Sequence, residues 1–121
     1  MDKTAMDRQT RAITGSFISR DFQWINFTSM VSNLVTLYIV SSDTKAIVPV
    51  SIVIIGTLVF ALIAGLNQID TFKAWLADMD DQDANSNMGI LGKAAPIGMW
   101  KTAYTLTYSA IALGQLYYLW F

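Results

Sequence analysis

Residues 46–69, AIVPVSIVIIGTLVFALIAGLNQI, run for 24 positions without a charged side chain. At about 1.5 Å per residue, a helix of 20 residues covers the roughly 30 Å hydrocarbon core of a bilayer. The stretch has no polar stripe to turn toward water. Within 48–55 only Pro49 and Ser51 interrupt a Val/Ile run, and 58–66 is nearly all apolar. A surface helix of a soluble bundle keeps a polar face; this one does not, and it reads as a membrane span.

Two further stretches share the pattern. Residues 22–42 and 102–121 are also free of charge, over 21 and 20 positions. Charged residues make up 14% of the chain and hydrophobic ones 54%, against about 25% charged in ordinary soluble domains. The fold class expected is all-α: a polytopic membrane protein with three transmembrane helices, at about 22–42, 46–69 and 100–121. Only 43–45 separate the first two charge-free stretches, which forces them into an antiparallel hairpin. Asp43 or Thr44 is the expected N-cap of the second helix, and Pro49 sits near its start, where a missing N–H costs little.

Outside the spans, residues 1–21 form a polar N-terminal arm preceding the transmembrane domain, 22–121. Ile13, Phe17, Ile18, Phe22 and Ile25 recur along it at helical spacing, which predicts an amphipathic segment at the membrane surface. The arm fits a cleavable leader badly and is expected to belong to the mature protein. In the loop 70–99, Phe72, Trp75, Leu76 and Met79 follow the same spacing and predict an interfacial helix. An acidic linker rich in Asp, Asn and Gly follows over 80–92.

Orientation follows from the basic residues. Lys3, Arg8, Arg11 and Arg20 lie in the arm, Lys73, Lys93 and Lys101 in the second loop, and Lys45 alone in the first loop. Three spans put the arm and second loop on one side, which the positive-inside rule makes cytoplasmic. The N-terminus is then expected in the cytoplasm and the C-terminus opposite. Aromatic residues agree: Trp24, Trp75, Trp100 and Tyr104 fall at the inner boundary, and Tyr38, Tyr117, Tyr118 and Trp120 at the outer one.

The composition excludes much chemistry. Cysteine and histidine are both absent, so no disulfide, thiolate nucleophile, imidazole metal site or Ser-His-Asp triad can be built. Net charge is −1, which gives no reason to expect nucleic acid. No Asp, Lys or Arg falls inside the three charge-free stretches, whereas ion-coupled transport and voltage sensing normally use a charge within a span. No cofactor, metal or catalytic residue is expected. Asp81, Asp83, Asn85 and Asn87 alternate as in a calcium loop, but Ser86 replaces the required Gly and Gly92 the bidentate Glu, so a solvated acidic linker is the expectation.

Helix-facing patterns remain. Asn26, Ser29, Asn33 and Thr36 recur at i, i+3, i+7 and i+10, widened by Thr28 and Ser32, and give span one a polar face. Its opposite side carries Phe27, Met30, Val31, Leu34 and Tyr38. The polar face either bonds neighbouring helices or lines water, and interhelical bonding is the expectation. Thr57, Ala61 and Gly65 form a small-residue stripe on span two, and Ala103, Thr107, Ala110 and Gly114 another on span three. Such stripes let backbones approach closely. They serve this bundle or a neighbouring subunit.

The expected function is that of a non-catalytic accessory or structural subunit of a larger membrane assembly. An energy-converting or secretion complex, or a membrane-containing virus particle, is the setting. Its partners would be the bilayer and other membrane subunits or copies of itself. The alternative is a small oligomeric pore former such as a phage holin, lined by the polar face of span one. A membrane anchor or enzyme subunit working without His or Cys comes third.

Overall fold

The computed structural model describes residues 5–79 and 81–121, with the backbone alone for 5–8 and 83. The elements are α1 (Ala5–Ser41), α2 (Ile47–Ala77), α3 (Asp81–Ala84), α4 (Asn87–Lys93) and α5 (Ile97–Trp120). The protein is all-helical, and no strand occurs among the described residues.

Both long N-terminal helices outrun the charge-free stretches. The described part of the arm and the first such stretch form one helix of 37 residues, and α2 continues through the Phe72–Trp75–Leu76 segment for 31. No proline interrupts 5–41 or 50–77, and a single Gly in a long helix is tolerated at a modest cost. The separate surface helix expected after residue 69 is therefore the far end of α2. At 1.5 Å per residue α1 spans about 55 Å and α2 about 46 Å, against roughly 30 Å of bilayer hydrocarbon.

The turn between them closes one end. Asp43 takes a left-handed φ of 56°, a conformation Asp tolerates better than most residues. The expected N-cap at Asp43 or Thr44 gives way to Ala46, which makes no side-chain cap bond. Thr44 Oγ1 instead accepts from the Ala46 N–H at 3.1 Å, so the hydroxyl is spent inside the turn. Pro49 falls in the first turn of α2, where its ring is tolerated.

The acidic linker expected over 80–92 holds α3 and all but the last residue of α4. Ser86, at ψ 160°, caps α4 by accepting from the Gly89 N–H at 3.0 Å. α4 lies against the far end of α2, where a Cβ on Gly92 would come within 2.7 Å of Leu76 Cδ2. Pro96 then precedes α5, which runs parallel to α1 and antiparallel to α2. The α1–α2 interface is the largest, followed by α2–α5 and α1–α5.

One helix among those described, α2, is both long and apolar enough to cross a membrane, and only 22% of its most apolar stretch is buried. A core helix of a soluble protein would be mostly covered. The expectation of three spans is thus met on hydropathy by α2 alone. α1 and α5 have the length, but Asn, Ser, Thr, Gln and Tyr lower their apolarity. Of these, Ser29, Asn33, Thr36, Tyr108 and Gln115 are buried.

Polarity is inverted relative to a water-soluble bundle. Ile52 and Ile63 on α2 are 65% and 69% exposed, while Ser29 and Gln115 are 1% and 4% exposed. Leu34, Val35 and Leu37 of α1 and Leu106 and Leu113 of α5 also face outward. The apolar core proper is a small cluster of Val40, Val50, Ile54 and Ala112 near the turn end.

The glycines separate inner from outer surfaces. A Cβ at Gly65 would run into the Tyr104 ring, which is pinned because its hydroxyl donates to the Ala61 carbonyl at 2.6 Å. Gly114 has nothing within 4 Å of an added Cβ. Gly65→Leu should therefore lower the unfolding free energy in mixed micelles by about 1–3 kcal/mol, the usual cost of overpacking. Gly114→Leu should leave it unchanged. Equal losses for both would contradict this arrangement.

Candidate functional site

The 3-4-3 spacing of Asn26, Ser29, Asn33 and Thr36 places them on one side of α1, and the fold turns that side inward. Ser29, Asn33 and Thr36 are 1%, 6% and 3% exposed, and Asn26 is half-buried. The residues named for the opposite side, Phe27, Met30, Val31, Leu34 and Tyr38, are all exposed. The polar face is thus a seam between helices.

Partners come from both other long helices. Tyr108 of α5 donates its hydroxyl to Asn26 Oδ1 at 2.8 Å, while Asn26 Nδ2 donates to the Phe22 carbonyl at 2.9 Å. Gln115 of α5 donates to the Asn33 carbonyl at 3.2 Å, and the Thr36 hydroxyl donates to the same carbonyl at 3.0 Å. On the α2 side, the hydroxyls of Ser32 and Thr57 share a hydrogen bond of 2.6 Å. Near the turn end Trp120 donates its indole N–H to Ser51 Oγ at 2.8 Å, and that hydroxyl donates to the Ile47 carbonyl at 2.7 Å. Ser29 Oγ and Gln115 Oε1 lie buried in the seam without a partner.

The two small-residue stripes part company. On α2, Ala61 and Gly65 are buried and Thr57 holds Ser32, so this stripe is the close-approach surface inside the bundle. On α5, Ala103, Thr107, Ala110 and Gly114 are all exposed. The inward face of α5 is Tyr108, Ala112 and Gln115, one helical step round. Tyr104, expected at the inner boundary, bonds the Ala61 carbonyl of α2, and neither Tyr108 nor Gln115 belongs to the stripe expected on this helix. A signal was present: Tyr104, Tyr108, Ala112 and Gln115 follow 4-4-3 spacing and include the one Gln of that helix.

Beyond the charge-free zone, α1 and α2 stay together as a two-helix stalk. Arg11 donates to the Trp75 carbonyl at 3.3 Å, and Trp75 donates its indole N–H to the Arg11 carbonyl at 3.0 Å. The Arg11 guanidinium also lies 5.1 Å from the Trp75 ring centroid, an attractive cation–π placement. At the base of the stalk Lys101 and Asp70 pair at 2.9 Å, an exposed bridge of small energetic weight.

The seam contains no Asp, Lys or Arg, because all three long helices are uncharged at this depth. Its chemistry is hydrogen bonding between neutral groups, which holds helices in register and orientation. No group of three metal-ligating side chains occurs among the described residues. The calcium-loop pattern depends on Asp83, whose side chain lies outside them.

A double-mutant cycle measures the seam directly. Asn26→Ala and Tyr108→Phe, singly and together, should give a coupling energy of about 0.6 kcal/mol, and at most about 1.7, by reversible unfolding in micelles. Strict additivity would remove the Asn26–Tyr108 bond from the stability of the bundle.

No protein-family model matches the chain, and no curated protein and no solved structure matches it either.

Proposed function

We propose that the chain is a three-span membrane protein that serves as a non-catalytic structural or accessory subunit of a larger membrane assembly. The inverted polarity carries this reading: polar side chains are enclosed between helices while large apolar ones cover the outside. In water, contiguous apolar surface beyond a few hundred Å² is rare on a monomer. In lipid it is the expected exterior, and polar groups must find partners inside. The same logic extends the span assignment from α2 to α1 and α5, which enclose Ser29, Asn33, Thr36 and Gln115.

The enclosed seam also weighs between subunit and pore. A pore former built on span one needs Asn26, Ser29, Asn33 and Thr36 to face a shared water path. Here these groups are occupied or covered within one chain. The exposed α5 stripe is the surface suited to a neighbouring helix, since small residues permit close backbone approach. The function follows as packing and sealing within a complex, with the stalk on the cytoplasmic side and the C-terminus opposite.

Topology is tested with single cysteines, which a cysteine-free chain reports without background. In intact cells Thr44→Cys should react with a membrane-impermeant thiol reagent and Asn87→Cys should not. Labelling at 87 alone would invert the orientation, and labelling at both would remove the three-span arrangement.

Permeability separates the two functions. Vesicles loaded with a small dye should stay tight with inserted wild-type protein and with Asn33→Leu. Dye release by wild type that Asn33→Leu abolishes would establish a pore, because an apolar constriction closes a water path by dewetting.

A further inference from the structure

The short helix α4 docks by its smallest residues. Gly89 and Gly92, three positions apart on one face, turn toward the bundle: Gly89 is buried, and Gly92 meets Leu76. The large apolar side chains of α4, Met88, Ile90 and Leu91, are exposed. Apolar cavities of about 780 and 270 Å³ remain at the base of the stalk. Met88 and Leu91 border the larger without being covered, and Ile90 borders neither. Burying a Leu or Ile side chain stabilises by roughly 1.5–3 kcal/mol, so a loop helix surrounded by water gains from the opposite arrangement. The inversion of polarity continues past the end of the charge-free zone.

Position and charge name what covers this face. Residues 94–96 join α4 to α5, and Ile97 stands five positions before the charge-free stretch that begins at Thr102, about 7.5 Å along the helix. Leu76, against which α4 packs, lies seven positions past Ile69, about 10 Å along α2. Both attachments hold α4 close to the zone that the bilayer surrounds. Headgroups bring a bilayer from roughly 30 Å of hydrocarbon to about 40–45 Å, and the length of a Leu or Ile side chain spans the remaining difference. Over 84–121 the charged side chains are Lys93, in the last turn of α4, and Lys101, both basic. Lys101 pairs with Asp70. A Lys beside apolar side chains lays its stem along them and holds its ammonium at the level of lipid phosphates.

We infer that α4 lies in the headgroup layer of the membrane that the chain crosses, with Ile90 and Leu91 turned into the acyl boundary and Lys93 among the phosphates. This rests on the membrane reading above. The partner is the phospholipid surface, and α4 anchors to it the connection between α2 and α5.

A polarity-sensitive fluorophore on single cysteines tests it, in vesicles of phosphatidylcholine and phosphatidylglycerol that hold no other protein. The sites are Ile90→Cys and Leu91→Cys on α4, Asn85→Cys ahead of it and Leu113→Cys on α5. All four residues are exposed, so the label displaces no packed side chain. Labels at 90 and 91 should emit to the blue of the label at 85, and should be quenched most by lipids carrying a nitroxide near the head of the acyl chain. The label at 113, in the middle of the last charge-free stretch, should be quenched most by a nitroxide near the end of the chain. Emission at 90 and 91 equal to that at 85 would overturn the inference. Quenching at 113 alone would overturn it too and leave the membrane reading standing. Quenching at none of the sites would overturn both.

Discussion

The need to satisfy polar groups away from water governs this structure. α1 carries Asn26, Ser29, Asn33 and Thr36 on one side, and an apolar environment offers none of them a hydrogen bond. That side must meet protein. α5 supplies Tyr108 and Gln115 at the depths of Asn26 and Asn33, which fixes the rotation of α5 and makes it parallel to α1. Once those two helices are matched, α2 fills the remaining side through Ala61, Gly65 and the Ser32–Thr57 bond. The apolar remainder of each helix is then the exterior by default.

The second feature is that α1 and α2 do not stop where their uncharged stretches stop. Beyond Phe22 and Ile69 they continue side by side, tied by the reciprocal Arg11–Trp75 bonds and the guanidinium over the indole. Backbone carbonyls accept both bonds, so the clasp depends on side-chain reach and on the antiparallel register of α1 and α2. α5 starts only at Ile97 and leaves the stalk without a third full-length helix. α4 covers part of that gap through Gly92 against Leu76, and the apolar cavities are the space left between.

These two features are what the proposed function rests on. On the polar face of α1, Asn26 pairs with Tyr108 and the Asn33 carbonyl with Gln115, while Ser29 Oγ is buried without a partner and Thr28 is exposed. An outward stripe of small residues on α5 is the part of the bundle with spare close-packing capacity. Among the described residues, the hydrogen bonds between the long helices in the charge-free zone join neutral groups.

Much of this was legible in the linear pattern. The uncharged stretches marked the helices, the short 43–45 connection marked the hairpin, and the spacing of Asn26, Ser29, Asn33 and Thr36 marked a face unfit for lipid. Each of these is a local property: helix periodicity, chain reach and transfer free energy depend only on neighbouring residues. The continuity of α1 and α2 was less legible, because the change in polarity at Phe22 and Ile69 imitates a boundary that backbone hydrogen bonding does not respect. Capping at Ala46 escaped for a similar reason, since Thr44 bonds within its own turn. What only the tertiary structure decided is which small stripe packs inside, which face of α5 meets Asn26 and Asn33, and that Trp75 closes on Arg11 across 64 positions. Two stripes of similar composition are equivalent in one dimension. They become unlike only when a third helix must be rotated to pair both Tyr108 and Gln115 at once.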